Sequence, residues 1–411
     1  MTDLKNGSPP SRGRVFRSVR AVFTALALGY VLIVILVMTP FIQTRVLYAH
    51  HIDSWWFRKF DHPEYYGLAP GKTVNLHLTS SDNTTIGAWF VFSDPFYHGL
   101  PYPPPPQIIN DVDGRVVFPR EELIPRAMSQ HPTILFLHGN SGTRAHPLRT
   151  ALYSAFTSRL RANVMVVDYR GFGDSEGHPT VQGVSKDARA AWDYLIDQGA
   201  KPENVLIVGH SLGTAIGGML SAELSREGVN PRGTVLMSAF SSVRKLIDEY
   251  YLFGCLPLLK PLSSLPLAPR LITWSLVHRF DTLTLVPEIK SSVLLVHGDN
   301  DMDIPATHSA MLFDAFIQSH VPAHPSIPPN PLSHKQWDNY TNLDGVRARK
   351  RADVVASTHI QGFGLYEETQ PSIIKEEGRK VALLRTERGA HDPGRLEGVH
   401  DTIGRMFGLY S

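Results

Sequence analysis

A serine flanked by two glycines is the first candidate for chemistry in this sequence. Ser211 lies in a Gly-His-Ser-Leu-Gly stretch at 209–213, which follows the β-branched apolar run 205–208 and precedes small residues. This pattern is typical of a tight strand-to-helix turn that exposes a nucleophilic serine. The glycines leave room for the turn, and the backbone N–H of Leu212 is free to face a developing oxyanion. The spacing therefore predicts Ser211 as a nucleophile.

An acid and a base for this serine follow it along the chain. A serine nucleophile needs a base to take its proton and an acid to orient that base, in the order Ser, Asp or Glu, His in this topology. The apolar run 293–296 is followed by His-Gly-Asp-Asn-Asp, and we assign the acid to Asp301. The last apolar run, 381–384, is followed by a short loop that ends in His391, and we assign the base to this residue.

Other polar residues near these runs have weaker claims. We expect Asp299 and Asp303 to bond their own loop backbone, and His210 to point away from the nucleophile in a structural role. His400 is a second candidate base, but it lies inside a predicted helix. We expect the glycine turn that holds Asp168 and Asp174 to be loop structure rather than a metal site, because it lacks a clustered histidine.

The second oxyanion donor is expected in the loop that follows the run 133–137. This loop reads His-Gly-Asn, and the backbone N–H of Asn140 pairs naturally with that of Leu212. Losing one such donor costs about 3–4 kcal/mol of transition-state stabilisation. The chemistry needs neither a metal nor an organic cofactor.

Apolar runs that alternate with helical stretches predict an α/β fold. Strands separated by helices of about 10–15 residues indicate a mostly parallel sheet with helices on both faces. Alternating residues in 72–79 and 85–92 predict a β-hairpin at an antiparallel edge. Catalytic groups in such sheets gather at the carboxyl ends of the strands.

Three segments interrupt this pattern. The apolar, proline-broken segment at about 241–285 is interpreted either as a cap that admits an acyl chain or as ordinary core helices. The segments at about 94–130 and 319–380 are expected to be irregular insertions, the second of them partly disordered.

An uncharged apolar stretch at 21–44 is long enough to cross a bilayer. It lacks a small-x-small cleavage site, so an uncleaved anchor is favoured over a signal peptide or a core helix. More Lys and Arg precede this stretch than follow it, which favours a cytosolic N-terminus and a lumenal catalytic domain, most simply in the endoplasmic reticulum. We divide the chain into a basic tail (1–20), a transmembrane anchor (21–44), a juxtamembrane segment (45–71) and a catalytic domain (72–411).

Composition excludes several classes of function. The 411 residues carry a formal net charge of +2, with no basic stripe interleaved with aromatics, so no nucleic-acid partner is expected. A single cysteine, Cys255, excludes an internal disulfide and cysteine-based zinc sites.

Taken together, these motifs resemble those of the α/β-hydrolase superfamily. The block Asp-Tyr-Arg-Gly-Phe-Gly-Asp-Ser at 168–175, combined with one N-terminal anchor, is similar to the membrane-anchored monoacylglycerol lipase and lysophosphatidylserine lipase group (α/β-hydrolase domain protein 12-like). Cytosolic depalmitoylases share much of this block but carry an N-terminal cysteine cluster, which this chain lacks.

The resemblance implies a membrane-anchored serine hydrolase that cleaves esters of monoacylglycerols or lysophospholipids. Its partners would be an acyl-chain lipid substrate and the bilayer. A protein acyl-thioesterase or a peptidase on the same fold is the alternative. A non-catalytic membrane scaffold has no physical need of Ser211, Asp301 and His391 together.

Overall fold

The computed structural model describes residues 12–52, 59–104, 109–110, 116–117, 120–249, 251–252, 256–257, 268–325 and 334–410. The strands in these ranges are, in chain order, β1 (Thr73–Thr79), β2 (Thr85–Val91), β3 (Ile109–Asn110), β4 (Val116–Val117), β5 (Thr133–Leu137), β6 (Asn163–Val167), β7 (Val205–His210), β8 (Gly233–Met237), β9 (Tyr251–Leu252), β10 (Leu256–Pro257), β11 (Val293–Gly298), β12 (Val355–Ile360), β13 (Gly364–Thr369) and β14 (Val381–Thr386).

Helices alternate with these strands through most of the chain. They are α1 (Arg12–Val37), α2 (Pro40–Tyr48), α3 (Asp94–His98), α4 (Ile124–Gln130), α5 (Pro147–Arg159), α6 (Val181–Asp197), α7 (Leu212–Arg226), α8 (Val243–Glu249), α9 (Ala268–Ser275), α10 (Thr282–Leu285), α11 (Thr307–Phe316), α12 (His334–Val354), α13 (Pro371–Glu377) and α14 (Glu397–Met406).

Ten of the described strands form one mixed sheet, in the order β1-β2-β6-β5-β7-β8-β11-β14-β13-β12. The six central strands, from β6 to β14, run parallel to one another. The hairpin β1–β2 joins β6 antiparallel, as the sequence predicts for this edge. The mostly parallel α/β architecture is therefore confirmed.

The central strands are buried on both faces, and successive side chains contact different helices. In β5, Ile134 and Phe136 belong to the same apolar cluster as residues of α5 and α14. Leu135 and Leu137 belong instead to the cluster that contains α6 and α7. This alternation explains why β5 has the continuous apolar sequence of a strand covered by helices on both sides.

The expectation of an irregular insertion at 319–380 is wrong for most of that segment. It contains α12, the antiparallel strands β12 and β13, which extend the main sheet beyond β14, and α13. The helix α12 buries only Arg347 and Val354 among its described residues, so it has almost no apolar period to detect. Strand β12 is an edge strand with four exposed residues, which hides the alternation typical of strands. Residues 326–333 lie outside the described ranges.

The segment at 94–130 is also more regular than expected. It carries α3, the short pair β3–β4 and α4. Helix α4 packs Ile124, Ala127 and Met128 into the core, but seven residues are too few to show a helical period.

The segment at 241–285 contains α8, the short pair β9–β10, α9 and α10. Residues 250, 253–255 and 258–267, which include Cys255, lie outside the described ranges. Its described part lies against the N-terminal helices, since the side chain of Gln43 is hydrogen-bonded to the backbone at Ser275 (2.9 Å) and Val277 (3.0 Å).

The N-terminal apolar stretch divides differently from the sequence interpretation. Its helix α1 begins in the basic tail, ends at Val37, and includes a window at Phe16–Val37 that is long and apolar enough to cross a membrane. A separate helix, α2, begins at Pro40, whose missing N–H and fixed φ suit the first turn of a helix. Gln43 and Tyr48 of α2 are buried against the domain, so the predicted anchor 21–44 includes the end of α1 and the first residues of a second helix. Residues 1–11 of the basic tail lie outside the described ranges.

A fully buried arginine connects the hairpin to the parallel sheet. The guanidinium of Arg144 donates to Asp168 (2.6 Å), to Asp174 (2.7 and 2.9 Å) and to Asn75 (3.0 Å), and it lies over the ring of Phe60. Burial would raise the pKa of Asp168, but the charge of Arg144, together with hydrogen bonds from His138 and from the backbone of Arg144, holds this pKa below its usual range. The glycine turn at 168–177 is therefore built around an ion pair, as the loop interpretation expects.

We expect Arg144→Met to lower the free energy of unfolding by about 3–5 kcal/mol, because it leaves the buried carboxylate of Asp168 without its cation. The matched control is Arg226→Met, which removes an exposed ion pair with Glu288 and should cost less than about 1 kcal/mol. Urea unfolding of both variants in detergent, followed by tryptophan fluorescence, measures the difference. Equal costs would contradict the structural role of Arg144.

Candidate active site

The nucleophile candidate lies at the tip of a strained turn between β7 and α7. Ser211 has φ = 52° and ψ = −120°, a conformation that is unfavourable for a residue with a side chain and typical of functional turns. A β-carbon at Gly209 would overlap the backbone of Gly213, and one at Gly213 would overlap the carbonyl oxygen of Leu137. The two glycines are thus required by close backbone packing.

The three residues assigned to catalysis from the sequence are brought together in one hydrogen-bonded chain. The Oγ of Ser211 lies 2.9 Å from Nε2 of His391, and Nδ1 of His391 donates to Oδ2 of Asp301 (2.8 Å). Each side chain comes from the carboxyl end of a different parallel strand: β7, β14 and β11. Since the carboxylate fixes the proton on Nδ1, Nε2 is left to accept the serine proton.

The carboxylate of Asp301 is fixed by its own loop. Its Oδ1 accepts the backbone N–H groups of Asp303 and Ile304, both at 2.9 Å. Burial alone would raise the pKa of Asp301, but hydrogen bonds from His297 and His391 hold this pKa well below its usual range. Asp301 is therefore ionised and oriented before any substrate binds.

The imidazole of His391 is tuned as a base by neighbouring carboxylates. Burial would lower its pKa, but the hydrogen bond and charge of Asp301, with smaller effects from Asp303 and Asp392, raise the pKa above its ordinary value. A raised pKa strengthens the base and stabilises the imidazolium that forms when the serine proton is transferred.

The backbone of His391 is held by two residues that sequence reasoning did not assign to the site. Its carbonyl oxygen accepts Nε2–H of His210 (2.7 Å) and Oγ–H of Ser238 (3.0 Å). The expectation that His210 points away is wrong, since its ring lies 5.2 Å from that of His391. Burial and the nearby His391 lower the pKa of His210 to about 4, so it acts as a neutral donor. Contacts through a backbone carbonyl leave no pattern in a sequence.

The loop after β5 lies beside the nucleophile, as expected for Asn140. The guanidinium of Arg149, from α5, donates to the carbonyl oxygens of Gly139 (3.1 Å), Asn140 (3.1 Å) and Ser141 (2.7 Å). Holding these three carbonyls on one side fixes the orientation of the peptide N–H groups in the loop. Leu212, the other predicted donor, begins α7, where an N–H has no acceptor within the helix.

The same loop is bound from its other side by the N-terminal region. The side chain of Asn140 donates to the carbonyl oxygen of Leu47 (3.2 Å), and the backbone N–H of Ser141 donates to that of Tyr48 (2.9 Å). The N–H of Gly142 likewise donates to Ile52 (3.2 Å). The loop is therefore held between α5 and the segment that follows α1.

A cavity of about 270 Å³ opens at this site. Its lining includes Ser211, His391 and Asn140, together with polar residues such as Asp392 and Arg395. It can accept the polar part of an ester next to the nucleophile.

Other candidates are separated from this site or have different partners. Asp299 pairs with Arg385 (2.8 Å) instead of its own loop backbone, and His400 is buried in α14 with Nε2 bonded to Gly394 (2.6 Å). Within the described ranges, Asp301, Asp303 and His391 have ligand atoms within 4.8 Å of one another and could in principle hold a cation. The hydrogen bond from His391 to Asp301 accounts for this proximity without an ion.

We expect Arg149→Met to lower kcat about 10²-fold with little change in KM, because small displacements of oxyanion donors cost rate more than ground-state binding. The control is Arg159→Met in the same helix, whose guanidinium pairs only with the partly exposed Glu397 and Asp401. Steady-state kinetics on a soluble ester measures both constants. Identical losses in the two variants would indicate a general effect on α5.

Comparison with known proteins finds similarity to α/β hydrolases. A family model described as the alpha/beta hydrolase family matches residues 134–324. Lysophosphatidylserine lipase ABHD12 of Danio rerio is 27% identical over 314 residues, which cover 75% of this chain and 75% of that protein. The alpha/beta hydrolase domain-containing protein WAV2 of Arabidopsis thaliana is 32% identical over 245 residues, which cover 58% of this chain and 65% of that protein.

A solved α/β hydrolase from Vibrio vulnificus aligns with a TM-score of 0.46 and 15% identity, covering 82% of this chain and 81% of that chain. The family match and the sequence relatives carry the assignment, and the sheet order agrees with it. These similarities support an ABHD12-like α/β hydrolase with the chemistry of a serine ester hydrolase.

Proposed function

We propose that this protein is a membrane-anchored lipase that cleaves carboxylic ester bonds of monoacylglycerols or lysophospholipids. The observation that carries the proposal is the hydrogen-bonded chain from Ser211 through His391 to Asp301, at the mouth of a polar cavity. The names of the ABHD12 relatives support a lysophospholipid as substrate.

The proposed reaction proceeds through an acyl-enzyme. Oγ of Ser211 attacks the ester carbonyl carbon while its proton passes to Nε2 of His391, whose positive charge Asp301 stabilises. The N–H groups of Asn140 and Leu212 stabilise the oxyanion of the tetrahedral intermediate. His391 then protonates the leaving alcohol oxygen as the C–O bond breaks.

The acyl-enzyme is hydrolysed by the same groups in reverse. His391 takes a proton from water, whose oxygen attacks the acyl carbon, and the proton is returned to Oγ of Ser211 as the fatty acid leaves. Every proton is carried by side chains described above.

Helix α1 supports the proposed position of the domain at a membrane. The span Phe16–Val37 has 22 residues with a mean hydropathy of 2.3, and 6% of its most apolar window is buried in the protein. A helix of this length extends about 33 Å, enough for the hydrocarbon core. Five Lys or Arg residues precede residue 21, two of them (Arg17 and Arg20) in the first turns of this span, against three between residues 45 and 59. This bias supports a cytosolic N-terminus and a lumenal catalytic domain in the endoplasmic reticulum.

We expect Ser211→Ala to abolish labelling by a fluorophosphonate probe and to lower lipid ester hydrolysis by about 10⁴-fold or more. The full-length protein in membranes is assayed with a monoacylglycerol, a lysophospholipid, an acyl-thioester peptide and a peptide amide. The control is Ser129→Ala, an exposed serine in α4 that should behave as wild type.

Two outcomes would contradict the proposal. Labelling that survives in Ser211→Ala would show that another residue is the nucleophile. Cleavage of the thioester or the amide without cleavage of either lipid would favour the acyl-thioesterase or peptidase alternative.

The pH dependence should report the state of His391. Because the base must be unprotonated and its pKa is raised, kcat/KM should rise with pH through an apparent pKa above about 6.5. Asp303→Asn removes one of the carboxylates that raise this pKa, so the acid limb should move to lower pH. Asp299→Asn, whose carboxylate pairs with Arg385, is the control and should leave the limb unchanged. An acid limb that does not move in Asp303→Asn would contradict this electrostatic account.

A further inference from the structure

A second cavity, of about 240 Å³, lies between the N-terminal helices and the segment that follows β8. One wall is the end of α1, with Val34, Val37 and Met38, and the opposite wall is α8, with Leu246 and Ile247. Most of its lining is apolar, whereas the cavity at Ser211 has a mixed polar and apolar lining. This space suits a hydrocarbon group.

The two cavities meet at one residue. Asn140, the proposed oxyanion donor, lines both of them. A molecule that extends from the apolar cavity past Asn140 would place its next atoms beside Ser211. An acyl ester has this arrangement, because its hydrocarbon chain ends at the carbonyl carbon that the serine attacks.

The polar groups in the apolar cavity already have protein partners. Both ends of the Gln43 amide bond to backbone atoms, its Nε2 to Ser275 and its Oε1 to Val277. The ring of His278 contacts Thr44 Oγ1 at 2.7 Å, and burial lowers its pKa, so it is neutral. The lining therefore offers a ligand mainly apolar surface, and a charged or strongly hydrogen-bonding group would gain little there.

The location of the cavity indicates where its occupant comes from. Val34 and Val37 are half-buried, whereas Leu32 and Leu36 on the same stretch of α1 remain 56% and 46% exposed. One face of the end of the candidate span thus forms the cavity while other positions are left to contact lipid. An occupant from the bilayer would reach the cavity without crossing water.

We propose that this cavity is the acyl-chain subsite, and that the membrane anchor itself forms one of its walls. A lipid in the adjacent leaflet inserts its acyl chain between α1 and α8, and its ester reaches Ser211 past Asn140. The inference rests on the proposed lipase function, for which it specifies how the substrate is held. The polar head then lies in the first cavity, near Arg395.

A reactive probe tests this placement directly. A long-chain alkyl fluorophosphonate with a terminal diazirine forms a P–O bond with Ser211 and releases fluoride, while His391 takes up the serine proton. Irradiation releases N₂, and the carbene inserts into the nearest protein bond. With the full-length protein in nanodiscs, we expect crosslinks in peptides that contain residues 34–47, 243–249 or 275–278, which line the cavity. Crosslinks confined to other parts of the chain would overturn the proposal.

Cavity-filling variants give an independent test through chain-length selectivity. In Val34→Trp and Leu246→Trp, kcat/KM for an oleoyl ester should fall about tenfold or more, while that for a butyryl ester is retained, because lost apolar contacts act only on the long chain. Retained butyryl activity shows that the variants fold. Leu36→Trp, on an exposed position of the same helix turn, should leave both activities unchanged.

The outcomes separate this inference from the function on which it rests. An unchanged ratio of oleoyl to butyryl activity in both cavity variants would overturn the acyl subsite while leaving the lipase function intact. A wild-type protein that cleaves the butyryl ester in a Ser211-dependent way, but no long-chain lipid, would overturn the function. The crosslinking result would then still decide whether the cavity receives an alkyl chain.

Discussion

The contact between Gly213 and the carbonyl oxygen of Leu137 is the constraint on which the site depends. It brings the turn after β7 against the end of β5 so closely that no side chain fits between them. The proposed nucleophile, Ser211, and the loop that begins at His138 are thereby fixed side by side. Neither flexibility nor substrate binding is needed to bring the serine and the oxyanion loop together, which is the preorganisation that acyl transfer requires.

The parts of the fold that were predicted correctly are those whose burial is uniform. Strands such as β5 and β11 are buried throughout, so their apolar runs stand out from the sequence. Helix α12 and strand β12 were missed because they are mostly exposed, and their polar residues mask both the helical and the strand period. The break between α1 and α2 was not predicted because hydrophobicity continues from one helix into the other, although α2 buries Gln43 and Tyr48 against the domain.

The residues of the candidate site also differ in how far the sequence could predict them. The proposed catalytic residues Ser211, Asp301 and His391 could be singled out from the sequence because each follows an apolar strand and has a side chain of a type that the chemistry requires. The side chains of Arg149, His210 and Ser238 donate hydrogen bonds to backbone carbonyl oxygens. Every residue has such an oxygen, so the acceptor leaves no mark in the sequence. Their participation depends on tertiary geometry alone, so no spacing in the sequence could have indicated it.

The hydrogen bonds between α2 and the loop after β5 give the N-terminal region a second structural role. The carbonyl oxygens of Leu47 and Tyr48 accept from Asn140 and Ser141, so the helix that follows the candidate span also supports the loop that holds the proposed oxyanion donor. Removing the first fifty residues would delete both acceptors and free one side of this loop. The candidate membrane span and the support of this loop thus belong to one continuous stretch of chain.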